Sequence, residues 1–473
     1  MAVQQAVQQA FILDTEIIDG LRATVHGNLL LPGDPGYDEA RAIWNGMHDK
    51  HPALTVQPSG VADVIAAVNF ARDNDLLLAI KGGGHNVAGN ALCDDGLLLD
   101  MSSMRGVHVD PVAKTAYVEG GAQWADFDHE TATFNLTATG GVVSTTGVAG
   151  LTLGGGIGWL NPKFGAACDN VLAYDIVLAD GSYVRARADE NADLFWALKG
   201  GGGNFGVVTG FLFQLHPFNH QVLAGGRFYP IEKARDLLDF YRDVTVKSSR
   251  DVVVYSALWM NPVTSENACA IAFCHSGDID AAEAEMASVR SYGVADLDII
   301  DQMPYTAWQQ AFDPLLPHGR NYYWKALLFT GLTDPILDIV AEHGARKPNV
   351  NSYAVMEQFG GAYGDVGKAD TAFWHRDIRH QLVIGGAWDD PVEQDGCVQW
   401  VRDFHDALAP HAATGRNLNF TVVEDEERVG RVEASFGENW SRLVQIKTKY
   451  DPTNFFRVNN NIKPAVQAAG DMD

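Results

Sequence analysis

Glycine is concentrated in three stretches of the first half of the chain, and these stretches constrain the fold more than any other feature. The densest stretch covers 140–158, and shorter ones lie at 81–86 and 200–206, in a chain with 48 glycines among 473 residues. Glycine permits backbone conformations and close approaches that a Cβ atom would prevent. Because the 81–86 and 140–158 loops fall within one region, we expect their backbone to lie against a large flat or phosphorylated ligand.

The overall composition excludes several classes of protein. Hydrophobic residues make up 47% and charged residues 20% of the chain, which indicates a globular protein with a sizeable core. Lys and Arg number 34 against 60 Asp and Glu, for a net charge of −26, which repels phosphate backbones. We therefore expect no nucleic-acid partner, and an anionic ligand would need a local binding device.

Targeting signals and metal motifs are not evident. No apolar run approaches the ~20 residues of a membrane span, and the N-terminus lacks the basic and apolar regions of a signal peptide. We therefore expect a cytoplasmic protein with no membrane partner. The five cysteines are scattered without a CxxC pair, so neither a metal site nor a disulfide framework is predicted.

Hydrophobic periodicity predicts an α+β fold. A helix is expected from 59 to about 75 with Ser59 as its N-cap, followed by a buried strand over 76–80 that leads into the first glycine loop. The Asp180-Gly181 pair predicts a hairpin over 175–186. From about 217 to 416 the glycine pattern stops, and strands such as 252–260 alternate with helices such as 281–290. This second region predicts an antiparallel sheet with helices on one face.

Each glycine stretch has an alternative interpretation. Residues 201–206 satisfy GxGxxG, but a helix precedes them and a strand follows, the reverse of a dinucleotide fingerprint, so a tight turn is favoured. A nucleotide could still touch that turn. The loop 81–86 follows a strand, as in a pyrophosphate site, although a flexible turn with a solvated histidine fits equally well. The 140–158 stretch lacks a Walker Gly-Lys-Ser/Thr sequence, and a bent sheet edge is its alternative.

Together with three further motifs, these loops resemble a known family. The motifs are Cys-Asp-Asn at 168–170, Gly-Asn-Phe-Gly-Val-Val-Thr at 203–209 and Tyr-Asp-Pro-Thr-Asn-Phe-Phe at 450–456. Over nearly its whole length the chain resembles the FAD-linked oxidases of the vanillyl-alcohol-oxidase type, in their berberine-bridge-enzyme-like branch. The resemblance implies a two-lobed PCMH-type FAD-binding domain over 1–216 and 417–473. A substrate domain built on a large antiparallel sheet would be inserted at 217–416.

The resemblance also implies which residues hold FAD. The 82–88 loop would hold the pyrophosphate, the 145–158 stretch would line the rest of the cofactor, and the backbone near 207 would meet the adenine. The C-terminal tail would return to the flavin. The implied cofactor-binding residues are Lys81, Gly82, Gly83, Gly84, His85, Asn86, Val87, Ala88, Thr145, Thr146, Gly147, Gly150, Gly154, Gly155, Gly158, Val207, Asn459 and Asn461.

His85 stands at the family's point of covalent attachment to the flavin 8α-methyl group. Many members hold the flavin a second time, through a cysteine in a Cys-Pro-Thr-Val-Gly-like motif. Here residues 143–147 read Val-Ser-Thr-Thr-Gly, and Val143 cannot form a thioether. We therefore predict one covalent link, through His85 only, and interpret Cys93 and Cys168 as core residues.

Three polar groups of the family are replaced in this chain. The family's Tyr-x-Asn reads Asn-Leu-Asn at 417–419, a catalytic Glu falls at about Val383, and a His falls at Leu151. The replacements argue against sugar oxidation and berberine-type ring closure, and for a more apolar pocket or a base elsewhere. Adjacent strand residues face opposite sides, so at most one of Tyr322 and Tyr323 faces the flavin. Other candidates are Tyr363 and one of Glu357 and Gln358; the predicted catalytic set is Tyr323, His375 and Asn417.

The resemblance thus implies an FAD-linked oxidase. It would transfer a hydride from a small, fairly apolar alcohol or amine to covalently held FAD, and Thr146, near the family's oxygen-gating position, favours O₂ as the electron acceptor. An FAD dehydrogenase with another acceptor and a catalytically degenerate flavin-binding protein remain alternatives. The sequence identifies neither the substrate nor the oligomeric state.

Overall fold

Sheets of four, five and eight strands and one separate two-stranded pair form the framework of the protein, whose computed structural model describes residues 14–420 and 428–465. The first sheet has the order β1-β2-β4-β3, and β2 and β3 both run parallel to β4. Helix α3 lies between β2 and β3. The elements are α1 (Thr15–Thr24), β1 (Asn28–Leu30), α2 (Tyr37–Arg41), β2 (Leu54–Gln57), α3 (Val61–Asp73), β3 (Leu78–Lys81) and β4 (Leu97–Asp100).

The start of α3 differs from the sequence prediction. Gly60, not Ser59, is the N-cap. The backbone N–H and the hydroxyl of Ser59 both donate to the carboxylate of Asp63, 2.9 Å away. Asp63 in the first turn therefore binds the residue before the N-cap, and no side chain caps this helix.

The second sheet is antiparallel, with the order β5-β6-β10-β8-β9, while β7 pairs with β11. The hairpin predicted around residues 180 and 181 is confirmed as β8 and β9. The elements are β5 (Val107–Asp110), β6 (Thr115–Glu119), α4 (Trp124–Ala132), β7 (Leu136–Thr137), α5 (Val148–Leu153), α6 (Asn161–Phe164), β8 (Val171–Val177), β9 (Tyr183–Arg187), α7 (Ala192–Leu198), β10 (Val207–Gln214) and β11 (His216–Pro217).

The third sheet is the large antiparallel one, and it confirms the predicted fold class. Its order is β15-β12-β14-β13-β18-β19-β17, and β16 also pairs with β12. The elements are β12 (Gln221–Pro230), α8 (Ala234–Lys247), β13 (Val252–Met260), β14 (Asn267–His275), α9 (Ile279–Glu285), α10 (Ala287–Ser291), β15 (Leu297–Asp298), β16 (Asp301–Pro304), α11 (Tyr305–Gln310), β17 (Asn321–Phe329), α12 (Asp334–Ala345), β18 (Tyr353–Gln358), β19 (His380–Trp388) and α13 (Gln394–Leu408).

The two faces of this sheet have different neighbours. Apolar side chains of α8, α12 and α13 share one buried core with every second residue of the central strands. On the other face, Tyr255 packs against Trp159, the residue directly after the long glycine stretch, with ring centroids 4.6 Å apart. The glycine-rich half of the chain therefore covers the sheet face opposite the helices.

The C-terminal segment returns to the second sheet. Helices α14 (Arg428–Phe436) and α15 (Trp440–Tyr450) contribute Phe436 and Leu443 to the core of that sheet. The domain boundaries at 216 and 417 stay a prediction. No helix among residues 14–420 and 428–465 is both long and apolar enough to cross a membrane.

Candidate active site

One cavity brings the three glycine stretches together. Its wall is formed by the 82–86 loop, by residues from 142 to 157, by the 200–204 turn and by the tail at 458–460. At one side the wall is aromatic and apolar, formed by Trp44, Leu316, Trp324 and Phe420. Of the predicted cofactor-binding residues, those that line the cavity are Gly82, Gly83, Gly84, His85, Asn86, Thr146, Gly147, Gly150, Gly154 and Asn459.

The first two glycine loops meet backbone to backbone in this wall. A Cβ atom on Gly83 would lie 2.4 Å from the nitrogen of Gly147, and one on Gly147 would lie 2.4 Å from the nitrogen of Gly83. Real Cβ atoms do not approach other atoms so closely. Both glycines are therefore required for the loops to pack, before any ligand is considered.

The other predicted cofactor residues lie outside the cavity lining, and most have a packing role. Lys81 is buried and paired with Asp100 at 3.3 Å. The hydroxyl of Thr145 is within hydrogen-bond distance of Nε2 of His85. The remaining six are Val87 and Val207, which lie in hydrophobic clusters, Gly155 and Gly158, which pack closely on neighbouring residues, and Ala88 and Asn461.

The 200–204 turn contributes more to the cavity than the sequence indicated. Helix α7 precedes it and β10 follows, as predicted, so it is not a dinucleotide fingerprint. Its glycines nevertheless line the cavity together with Asn204. The amide Nδ2 of Asn204 donates to the carbonyls of Gly201 and Asn460, and its Oδ1 accepts from Ile462. This asparagine therefore fixes the C-terminal tail against the turn.

His85 is the one titratable side chain found in the described lining of the cavity. Its ring is partly buried, and desolvation, with a smaller contribution from His318, lowers its pKa to about 3. The imidazole is therefore neutral at physiological pH, the form in which its ring nitrogens are nucleophilic. Nε2 lies 3.0 Å from the hydroxyl oxygen of Thr145.

The structure does not bring the three predicted catalytic residues into the cavity. Tyr323 lies on the helix-facing side of β17, where the guanidinium of Arg402 stands 5.7 Å from its ring. His375 is buried next to Phe373, and burial lowers its pKa to about 4. Asn417 is also buried, and its Oδ1 accepts from the backbone of Asn419.

The alternative candidates also have structural partners. The hydroxyl of Tyr322 donates to the carbonyl of Pro317, and that of Tyr363 donates to the carbonyl of His375. Glu357 is buried beside Gln381, whose Nε2 donates to it at 2.8 Å. As strand alternation predicted, Tyr322 and Tyr323 lie on opposite faces of β17. Tyr322 and Trp324 lie on the face toward the cavity, and Tyr323 lies on the face toward the helices.

The described lining carries no Asp, Glu, Lys or Arg. All five cysteines are described and buried, and none of them lines the cavity. Burial raises the pKa of Cys93 to about 11 and that of Cys168 to about 12, so both remain thiols. Residues 14–420 and 428–465 also contain no group of three or more His, Cys, Asp or Glu suited to a metal ion.

These features fit an FAD molecule. A diphosphate in a cavity without cationic side chains must be held by backbone N–H groups, which closely packed glycine loops supply. Asn459 lines the cavity, and within the described part of the chain its buried Oδ1 has no hydrogen-bond partner, whereas its Nδ2 donates to Gly203 and Phe456. That oxygen is available to a donor on the cofactor. The aromatic side suits a flat ring system.

Comparison with known families supports the same cofactor. Residues 52–187 match the FAD binding domain family, and residues 417–463 match the family described as berberine and berberine like. An FAD-linked oxidoreductase of Dictyostelium discoideum is 31% identical over 453 residues, covering 95% of this chain and 97% of that protein.

Two further comparisons involve nicotine oxidases. The (R)-6-hydroxynicotine oxidase of Paenarthrobacter nicotinovorans is 29% identical over 93% of this chain and 97% of its own length. The crystal structure of 6-hydroxy-D-nicotine oxidase from Arthrobacter nicotinovorans superposes with a TM-score of 0.86 at 27% identity, covering 96% of this chain and all of that one. Berberine bridge enzyme, at 20% identity and a TM-score of 0.85, shares the fold.

Proposed function

This chain belongs to the FAD-linked oxidoreductases, and we propose that it oxidises a small, uncharged and largely apolar alcohol or amine and passes the electrons to O₂. When bound, FAD supplies the redox chemistry by accepting a hydride from the substrate carbon. The protein contributes binding, orientation and the exclusion of water.

The observation that carries this proposal is the chemistry of the cavity lining. Its described side chains bear no acid and no cation, and Trp44, Trp324 and Phe420 form its aromatic side. A charged substrate would lose its hydration there without gaining a partner. A neutral aromatic or allylic molecule loses little on entry and gains packing against the aromatic rings.

Apart from His85, which we propose is bonded to the flavin, the described lining carries no side chain that could act as an acid or base, and this bears on the fate of the substrate proton. An alcohol must lose its hydroxyl proton as the hydride leaves, whereas a neutral amine can form its iminium product with no base at all. The Asn at 417, in place of the family's tyrosine, fits the amine more readily. Asn419 and Thr146 are among the uncharged polar side chains of the lining that are available to orient a substrate.

We further propose that the flavin is attached covalently, through His85 alone. Support comes from the position of this imidazole in the cavity wall, from its neutral state and from Val143, which lines the cavity in place of a cysteine. Attachment would form an N–C bond between His85 and the 8α carbon in place of one C–H bond of the methyl group. One proton from the methyl group and one from the imidazole would be released, and the two electrons of the broken C–H bond would be taken up by the flavin ring and finally by O₂.

The test is anaerobic mixing of the purified protein with a panel of neutral arylmethanols, allylic alcohols and secondary amines. We expect at least one to bleach the flavin absorbance, and air to restore it with release of hydrogen peroxide. The matched control is the same compound carrying a carboxylate, which we expect to be a much poorer substrate. Bleaching that air does not reverse would indicate a dehydrogenase, and a bound flavin that no compound bleaches would indicate a degenerate binding protein.

A further inference from the structure

We infer that Trp44 is a positioning residue for flavin attachment, because it holds the imidazole of His85 by ring stacking in the orientation needed for bond formation. The inference rests on the proposed attachment through His85. Trp44 lies before the region that matches the FAD binding domain family, 52–187.

Three aromatic rings are stacked at this point. The rings of Tyr322 and Trp44 are 3.8 Å apart between centroids and only 9° from parallel. The imidazole of His85 lies on Trp44 at 5.3 Å, with an interplanar angle of 16°. A ring held against a stack of this kind cannot tilt without losing the contact.

The middle ring of the stack is itself firmly held. Trp44 is buried, and its indole Nε1 donates to the carbonyl of Leu316 at 2.9 Å. Its backbone N–H donates to the carbonyl of Gly84, the residue before His85, and its own carbonyl accepts from the backbone N–H of Gly319. The tryptophan is therefore bonded both to the histidine loop and to the segment that leads into β17.

The next residue ties the same two segments together. The amide Nδ2 of Asn45 donates to the carbonyls of Val87 and Tyr322, both at 2.8 Å, and its Oδ1 accepts from the N–H of Tyr322. One buried side chain thus fixes the spacing between the histidine loop and β17. The two outer rings of the stack are carried by these two segments.

Stacking leaves one rearrangement free, a half-turn rotation of the imidazole about its Cβ–Cγ bond, which keeps the ring plane but exchanges Nε2 with Cε1 and Nδ1 with Cδ2. The hydrogen bond between Nε2 of His85 and the hydroxyl of Thr145, at 3.0 Å, opposes that rotation. Trp44 therefore sets the plane of the ring and Thr145 its direction. Together they reduce the orientations among which a nucleophilic ring nitrogen must be found.

The experiment follows attachment directly. The flavin-free fraction of each purified full-length protein is incubated with FAD, and the acid-stable flavin is measured with time, beside total bound FAD and the melting temperature. In Trp44→Leu we expect attachment about three- to tenfold slower, the factor that a stacked pair of ordinary strength is worth. Trp44→Phe, which keeps a ring, should stay close to wild type. The matched control is Trp388→Phe, a fully buried tryptophan of the helix-facing core.

Attachment at the wild-type rate in a Trp44→Leu protein that folds and binds FAD would overturn the inference. Should that variant not fold, Tyr322→Leu decides: removing the ring behind Trp44 should also slow attachment, and an unchanged rate would refute the stack. A wild type that holds no acid-stable flavin would instead refute the proposed attachment through His85. The two failures are therefore distinguishable.

Discussion

Gly83 and Gly147 pack so closely that a Cβ atom on either would lie 2.4 Å from the backbone nitrogen of the other. Two segments separated by more than sixty residues thus share one wall of the cavity, with no side chain between them. Loop contact is thus one reason for glycine in these loops, and we propose clearance for FAD as a second. These two reasons predict different results on substitution.

Gly83→Ala tests the contact between the loops. We expect about 1 to 3 kcal/mol of destabilisation, as overpacking costs in a close-packed region, together with loss of FAD. Melting temperature and FAD content per chain measure both effects. The matched control is Gly331→Ala, whose Cβ would meet nothing within 4 Å and which lies outside the cavity lining. Equal stability of the two variants would contradict the packing role.

Gly150→Ala tests clearance for the cofactor. Gly150 lines the cavity, and its Cβ would meet no protein atom within 4 Å, so the fold should tolerate the methyl group. Because Gly150 lies in helix α5, where alanine is favoured over glycine, we expect an equal or slightly higher melting temperature of the flavin-free protein, but FAD affinity lowered about tenfold, equal to ~1.4 kcal/mol. Titration with FAD in a His85→Ala background, where attachment cannot trap the ligand, measures this. Unchanged affinity would show that the methyl group does not meet the cofactor.

Lys81→Met separates a structural lysine from a cofactor-binding one. Lys81 pairs with the fully buried Asp100, which also accepts from Gln57. Removing the lysine leaves a buried carboxylate without its counter-ion, and we expect a loss of about 3 to 5 kcal/mol. Chemical denaturation of the flavin-free protein gives this value. The double variant Lys81→Met with Asp100→Leu should recover much of the lost stability, because it removes the carboxylate as well. If Lys81→Met instead weakened FAD binding without changing stability, Lys81 would be a cofactor-binding residue after all.

Glu357 predicts a pH dependence of stability. Burial raises the pKa of its carboxyl from 4.5 to about 8, so the folded protein holds a proton that the unfolded chain releases above about 4.5. Its contribution to stability is therefore complete below pH 4.5 and is lost as the pH rises to about 8, at ~1.4 kcal/mol per pH unit.

Comparison with Glu357→Gln measures this contribution. The glutamine keeps an acceptor for Gln381 but cannot ionise, so wild type should lose stability relative to the variant between pH 5 and pH 8. The exposed Glu342→Gln is the matched control. A difference between wild type and Glu357→Gln that stays constant over this range would show that Glu357 is already ionised in the folded protein.

The sequence predicted the elements whose signals are local. Strand β13 begins and ends where the sequence predicted it, at Val252 and Met260, and the Asp180-Gly181 turn joins the expected strands. One helix expected over 281–290 is instead two, α9 and α10, which meet at Met286. The glycine loops, through the family resemblance, predicted the part of the chain that forms the cavity, which we propose as the FAD site.

What the sequence could not provide depends on contacts between distant segments. Alternation separates Tyr322 from Tyr323 but does not show which face of β17 meets the cavity. Tyr323, the predicted catalytic residue, lies on the face toward the helices. Trp44 carries no local motif, because its role comes from β17, some 280 residues away in sequence. Likewise, nothing local distinguishes Gly150, with open space at its Cβ, from Gly147.

The central claim is that His85 alone binds the flavin covalently, and acid precipitation tests it most directly. Wild type and His85→Ala are precipitated, and the flavin absorbance and the intact mass of the protein are measured in pellet and supernatant. We predict one FAD retained on the wild-type chain and all flavin released from His85→Ala. Flavin in the wild-type supernatant, or flavin retained by His85→Ala, would contradict the account.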